Sequence, residues 1–174
     1  GIQYAYTVQG KEDEAAREID AYVTKNPSAP QADKLAFKKG DLYFSRKDYA
    51  TAAAEWDAFM KKYPASPLVP EALFWTGKSQ AALGRSDEAA RTFTLLVDRH
   101  PKSPLVPDAL LEVGTLHAGK KNLEQAVSVY GSVEEKFPGT EAAQRAAYEK
   151  GVAYRDAGRA DQARAQFSQL SADR

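Results

Sequence analysis

Ser66-Pro67-Leu68-Val69-Pro70-Glu71-Ala72-Leu73 recurs 37 residues later as Ser103-Pro104-Leu105-Val106-Pro107-Asp108-Ala109-Leu110, with only glutamate and aspartate exchanged. A segment repeated at this spacing marks one structural unit used several times, and that decides the architecture before any local reading does. The prolines widen the pattern. Pro27, Pro64, Pro101 and Pro138 stand 37 residues apart, and Pro30, Pro67, Pro70, Pro104 and Pro107 each follow one of them closely. The stretches between, about thirty residues each, contain no proline and so lack the strongest helix breaker.

Other columns keep the same period. Gly40, Gly77, Gly114 and Gly151 form one, and Ala15, Ala52, Ala89, Ala126 and Ala163 another. Four residues after each alanine stands a bulky side chain: Ile19, Trp56, Phe93, Tyr130 or Phe167. Three further on comes a second apolar column of Tyr22, Phe59, Leu96, Val133 and Leu170. Spacings of four and three share one face of a helix. The alanine is expected where a neighbouring helix comes closest, with the bulky residues filling the space beside it.

Between the glycine and alanine columns lie turn-forming words: Gly10-Lys11-Glu12-Asp13, Arg46-Lys47-Asp48, Gly84-Arg85-Ser86-Asp87, Gly119-Lys120-Lys121-Asn122 and Gly158-Arg159-Ala160-Asp161. Glycine ends helices in a left-handed conformation, and Asp, Ser or Asn caps the next one. Each unit therefore reads as a helical hairpin. Pro70 and Pro107 are placed to open a helix, each followed by an acidic residue that suits the positive end of the helix dipole. The pattern predicts helices near residues 2–9, 12–25, 30–45, 48–62, 70–83, 86–99, 107–119, 122–136, 141–157 and 160–171. One hairpin cannot bury its own apolar face, so the units are expected to stack as an all-α, right-handed α-solenoid. The reading is a single array over residues 1–174, with repeats at about 1–29 (truncated), 30–66, 67–103, 104–139 and 140–174.

Composition narrows the function. Lys plus Arg is 24 and Asp plus Glu is 24, so the formal net charge is zero. Nucleic-acid binding needs a clustered positive excess, and that balance argues against it. No apolar run approaches the roughly 20 residues of a membrane-spanning helix. Cysteine is absent, which removes disulfides, thiol nucleophiles and cysteine-ligated zinc. The chain opens Gly1-Ile2-Gln3-Tyr4, without an initiator methionine or a leader-like stretch. It is read as an excised fragment, any targeting signal lying upstream.

Glycine, an aromatic three residues on, a fixed alanine, a bulky side chain and a closing proline together resemble the tetratricopeptide repeat. The extra residues of this longer unit lie in the proline-rich junction. In that variant the chain is similar to bacterial envelope proteins. Tyr63-Pro64-Ala65-Ser66, Phe74-Trp75-Thr76-Gly77, Pro101-Lys102-Ser103-Pro104 and Lys136-Phe137-Pro138-Gly139-Thr140 resemble the C-terminal domain of the Tol-Pal accessory protein, the YbgF/CpoB type. The layout is also similar to the outer-membrane assembly lipoprotein of the BamD type. The resemblance implies a periplasmic, outer-membrane-associated scaffold that binds a segment of another envelope protein. A cytoplasmic adaptor and a homo-oligomerising structural spacer are the alternatives.

Residues with catalytic or metal-binding potential are accounted for by the repeat. His117 shares a column with Tyr6, Tyr43, Gln80 and Tyr154, and His100 shares one with Asn26, Tyr63 and Phe137. No metal-ligand spacing connects the two. Asp87-Glu88 falls at a helix start and Glu134-Glu135 on a helix surface, not across a cleft. The Gly84-Arg85-Ser86 turn joins two helices and has no preceding strand, unlike a phosphate loop. An enzyme is not expected, nor a cofactor or a metal.

By resemblance, partner segments lie against the first helix of each hairpin. Three residues before the glycine column stand Phe37, Phe74, Leu111 and Tyr148; one after it, Asp41, Lys78, Thr115 and Val152; four after it, Phe44, Ala81, Ala118 and Arg155. Trp75 joins the candidates because its column is otherwise Lys38, Glu112 and Glu149, where the repeat demands nothing apolar. The partner-binding set is thus Phe37, Asp41, Phe44, Phe74, Trp75, Lys78, Leu111, Thr115, Tyr148, Val152 and Arg155. Such a face suits an extended or helical peptide held by apolar anchors. The same aromatic stripe equally fits packing against the adjacent hairpin. The Lys and Asn pattern by which co-chaperones of this repeat class grip a terminal carboxylate is missing: the matching positions hold Phe37 with Asp41, and Phe74 with Lys78.

Overall fold

Proline placement and turn chemistry set the helix boundaries. The computed structural model describes residues 12–172, and among the described residues there are nine α-helices and no strand. They are α1 (Glu12–Lys25), α2 (Ala32–Ser45), α3 (Tyr49–Lys62), α4 (Val69–Ala82), α5 (Ser86–Arg99), α6 (Val106–Gly119), α7 (Leu123–Lys136), α8 (Glu141–Asp156) and α9 (Ala160–Ala172). The helix expected at residues 2–9 lies outside the described residues. Pro70 and Pro107 fall in the first turn of α4 and α6, with Glu71 and Asp108 beside them. Pro30 does not open α2, which starts at Ala32. The reason is register: Pro30 is in the column of Pro67 and Pro104, which precede their helices, while the position of Pro70 is held by Asp33.

Junction serines replace the missing caps. The Ser66 hydroxyl accepts from the Leu68 amide at 3.3 Å, and Ser103 does the same for Leu105 at 3.2 Å. Ser66 also donates to the Asp33 carboxylate at 2.6 Å, tying a junction to the start of α2. Asp48 caps α3 by accepting from the Thr51 amide, and hydrogen bonding from the Thr51 side chain, then from this amide, holds its carboxyl below the usual carboxylate range. Thr140 caps α8 through the Ala143 amide at 3.1 Å. Asn122 precedes α7 but its side chain makes no capping bond.

Four hairpin turns share one hydrogen-bond scheme. The amides of Asp48, Arg85, Asn122 and Arg159 each donate to a carbonyl five residues back, on Tyr43, Gln80, His117 and Tyr154, all at 2.9 Å. A bond of this span closes around one left-handed residue. That residue is Gly84 (φ 73°) or Gly158 (φ 74°) in two turns, but Lys47 (φ 65°) and Lys121 (φ 60°) in the others. Gly119, the glycine expected to turn the chain after α6, is its last helical residue instead.

The described residues divide after Ala89 into two compact units. In the first, α1 packs on α2, α2 on α3 and α3 on α4. In the second, α6 packs on α7, α7 on α8 and α8 on α9, with α6 also touching α8. Packing thus links only helices close in sequence, the signature of stacked hairpins. The alanine column is buried throughout, as the close-approach reading requires.

The glycine column has its own partner. A Cβ on Gly114 would lie 2.5 Å from the Tyr130 ring, one on Gly151 would lie 2.5 Å from the Phe167 ring, and one on Gly40 would collide with Trp56. In these three hairpins the bulky side chain of the second helix therefore lies against the backbone of the first, at the glycine. Trp56 and Tyr130 are fully buried as a result. The second apolar column follows in Phe59, Leu96 and Val133, whereas Tyr22 is 44% exposed. Phe59 packs edge-on to Phe37 of α2.

Candidate functional site

In the first unit, α2 and α4 carry a connected group of rings. Phe37 is buried between Trp56 (centroids 6.0 Å) and Phe59 (5.6 Å), in a cluster closed by Ala72 of α4. Phe44, one turn of helix beyond Gly40, is half-buried and meets Tyr49 at 5.2 Å and Trp75 at 5.1 Å, both edge-on. Trp75 also stacks over Trp56 at 6.5 Å, and Phe74 stands edge-on to it at 5.6 Å. Edge-to-face and offset contacts at these separations are the favourable geometries for aromatic pairs. Phe44, Phe74 and Trp75 thus form a rigid, partly open aromatic surface resting on the buried Trp56. Asp41, three residues before Phe44 on α2, accepts from Lys38 at 2.6 Å, while Lys78 is half-buried on α4.

In the second unit the candidates do not converge. Leu111 is buried among Tyr130, Val133, Ala142, Ala143 and Ala146. Thr115 is spoken for internally: its hydroxyl donates to the Leu111 carbonyl at 3.0 Å and accepts from Tyr130 at 3.3 Å. Burial pushes the Tyr130 phenol up in pKa, with the bond to Thr115 opposing. Arg155 is exposed and pairs with its neighbour Asp156, and Val152 is half-buried. Tyr148 is 53% exposed and leans on Phe167 at 5.8 Å.

The expectation that Phe37 and Leu111 present themselves to a partner is therefore corrected. Each lies under the second helix of its own hairpin and the first helix of the following one, so both are interior. The other aromatic candidates remain at least partly open.

Two features escaped the sequence reading. One is Tyr49, which completes the ring group through Phe44. The other is a lysine node. Lys39, with its side chain 12% exposed, bridges Asp20 of α1 (2.7 Å) and Glu55 of α3 (2.6 Å). Burial lowers the Lys39 pKa, but the bonds to the two carboxylates outweigh it and the net shift is upward. Lys150 stands three periods on, and it pairs with Glu134 of α7 at 3.1 Å. The spacing of the two lysines was a visible signal. Among the described residues no group of His, Asp or Glu is arranged to hold a metal ion, and no helix is long and apolar enough to cross a membrane.

Comparison with known proteins decides the class. The tetratricopeptide repeat profile matches residues 4–67, 37–104, 77–141 and 108–173, covering nearly the whole chain in overlapping pairs of repeats. The chain belongs to the tetratricopeptide repeat family. Repeats of this family are protein-interaction scaffolds, generally non-catalytic.

Solved structures agree on the fold. MamA from Desulfovibrio magneticus RS-1 superposes with a TM-score of 0.72 at 15% identity, over 98% of this chain and 89% of that one. A tetratricopeptide repeat protein from Parabacteroides merdae gives 0.75 at 16% identity, over 98% and 63%. YrrB, described as a tetratricopeptide protein with an unusual peptide-binding site, gives 0.68 at 17% identity, over 96% and 80%. No curated protein sequence matches the chain.

Proposed function

We propose that this tetratricopeptide protein is a scaffold of the bacterial envelope whose first unit grips an apolar segment of a partner protein on Phe44, Phe74 and Trp75. The observation that carries the site is the half-open Phe44–Trp75 pair, 5.1 Å apart and backed by buried Trp56. Rigid aromatic groups over a packed floor lose little side-chain entropy on binding, and such residues dominate interface energies. Trp75 stands where the other repeats place Lys38, Glu112 and Glu149, so packing of the repeat does not account for it. The peptide-binding site named for YrrB is consistent with a peptide ligand. The envelope assignment rests on the resemblance of the junction words to the Tol-Pal accessory protein and of the layout to the BamD type.

The test compares the parent with a Phe44→Ala/Trp75→Ala double variant as bait for periplasmic and cytoplasmic extracts, after thermal melting has confirmed both fold. A periplasmic protein retained by the parent should bind the variant at least thirtyfold more weakly, since losing about 2 kcal/mol of anchor contact has that effect. Equal retention would remove the aromatic surface as the site. Retention from the cytoplasmic extract alone would remove the envelope assignment and leave the site standing.

A further inference from the structure

The residue before each glycine of the glycine column, and the residue before each bulky side chain that follows the alanine column, form two further columns. The first holds Lys39, Thr76, Val113 and Lys150; the second holds Glu55, Thr92, Val129 and Gln166. They match in kind from hairpin to hairpin: charge with charge, hydroxyl with hydroxyl, valine with valine, and lysine with an amide. In the first hairpin the two positions face each other directly, with Lys39 Nζ 2.6 Å from the Glu55 carboxylate. The first column is interior: Thr76 and Val113 are buried, and the side chains of Lys39 and Lys150 are 12% and 20% exposed.

The two lysines also differ in where the preceding helix supplies their carboxylate. Lys39 takes Asp20 of α1 at 2.7 Å, and Lys150 takes Glu134 of α7 at 3.1 Å. These are different positions of the repeat. Three periods on from Asp20 stands Gly131, where an added Cβ would have Lys150 Nζ as its nearest atom. Three periods before Glu134 stands Val23, buried in the cluster between α1 and α2. Gln166 of α9 completes the second arrangement by donating to Glu134 at 3.5 Å. The two lysines thus share a column but not a set of partners.

The glycine, alanine and bulky columns, by contrast, are alike in every hairpin, and the junction words that open α4 and α6 are nearly identical. A chain of near-equal units can pair the wrong helices, within one molecule or between two, and such misassembly is a characteristic failure of repeat arrays. We propose that the Lys39 and Glu55 columns form an address that determines which second helix each first helix accepts. Pairing α2 with α7 would set Lys39 against Val129, and pairing α6 with α3 would set Glu55 against Val113. A charge left against valine loses its partner without regaining water, and removing one partner of a buried pair is far more damaging than replacing both. A single buried polar residue fixes register in coiled coils by the same physics. Correct pairing is selected here by the penalty on wrong pairs as much as by the strength of right ones. The aromatic surface on α2 and α4 plays no part in it.

The test uses the 174-residue chain. Lys39→Val/Glu55→Val gives the first hairpin the third one's pair, and Val113→Lys/Val129→Glu gives the third hairpin the first one's. Each variant is refolded by dilution from concentrated urea, and sedimentation velocity reads the fraction of chains that fails to regain the sedimentation coefficient of never-unfolded protein. Both variants make two hairpins carry one address, so that fraction should rise about threefold or more over the parent. Urea midpoints separate fidelity from stability. Lys39→Val and Val113→Lys alone should each lose about 1 M in midpoint, and the matching second change should recover at least half of the loss. Refolding as faithful as the parent's in either double variant would overturn the proposal and leave the lysine node a local stabiliser. So would a double variant no more stable than its single, including one that does not fold, because the two columns would then not be exchangeable as pairs.

Discussion

Glycine to alanine is normally a gain inside a helix, worth about 0.8–1.0 kcal/mol. The structure predicts that the gain appears at Gly131 and reverses at Gly114. Gly131 lies mid-way along α7, and the nearest atom to an added Cβ is Lys150 Nζ at 4.0 Å, an ordinary contact. Gly131→Ala should therefore stabilise the chain by nearly the full propensity difference. At Gly114 the added carbon would stand 2.5 Å from Tyr130 Cε1 and 2.7 Å from Cδ1. Ordinary carbon contacts lie at about 3.5–4.0 Å, so the ring must retreat by roughly 1 Å. It has nowhere to go: Tyr130 is 1% exposed, enclosed with Ala126, Val133 and Ala143, and its hydroxyl is tied to Thr115. Overpacking of this kind costs about 1–3 kcal/mol, and the upper half of that range applies to an enclosed ring. After the propensity gain is subtracted, Gly114→Ala should lose about 1–2 kcal/mol, placing the two variants about 2–3 kcal/mol apart. Urea unfolding followed by far-ultraviolet circular dichroism would separate them by about 1 M in midpoint, for a slope near 2–3 kcal/mol per molar. Midpoints are the right comparison, because a repeat array need not unfold in one step. Gly114→Ala combined with Tyr130→Leu should lose less than the sum of the single changes, since the shorter side chain makes room. Additive losses, or a Gly114→Ala variant as stable as Gly131→Ala, would refute the account of the glycine column.

Three further outcomes follow from the same geometry. Lys121→Gly and Lys47→Gly should each raise stability by up to about 1 kcal/mol, since a left-handed non-glycine residue costs about 1–2 and glycine's unfolded-state entropy returns part of it; Gly158→Ala should do the reverse, and the same urea series reads all three. Ala126→Leu should lower the midpoint by the equivalent of about 1–3 kcal/mol through overpacking, and an unchanged midpoint would remove the close-approach role of that column. Lys39 has a raised folded-state pKa, so its contribution is complete below the unfolded value of 10.5 and disappears as pH rises through the folded one. The parent's advantage over Lys39→Met should accordingly be constant from pH 7 to 9 and vanish in strong alkali; a gap that persists there would assign the effect to packing of the lysine stem.

The fold was legible because backbone requirements repeat and side chains report them. Pro70, Pro107 and the alanine column each answer a constraint that every unit meets, so the period alone located the helices within two or three residues. The failures have one cause, which is treating a column as a role. A helix expected from residue 30 overlooks register, since Pro30 stands in the column of the prolines that precede helices. Gly119 was read as the turning residue from its being glycine, while the left-handed position two residues later is held by Lys121. The glycine column itself was visible, but not its partner: Gly114 and Tyr130 are 16 residues apart, on two helices, and only packing shows one lying on the other.

The candidate site was less legible for a physical reason. A column states which helix face a residue occupies, but burial depends on what the neighbouring repeat lays over that face. Phe37 and Tyr148 hold the same column with nearly the same side chain, one in the core and the other half in solvent. No feature of either residue distinguishes them; the covering helix does. It follows that departures from a column are better markers of binding than membership in one. Trp75 replaces charged residues, and the ring it adds lies against Phe44 and Phe74 in positions that packing alone would leave polar. If that reasoning holds, restoring the column with Trp75→Glu should cost little stability, because the same position carries Glu112 and Glu149 in two other hairpins. The same change should abolish partner capture. A variant that unfolds instead would make Trp75 part of the core, since stacking on Trp56 at 6.5 Å would then be a structural requirement of the unit.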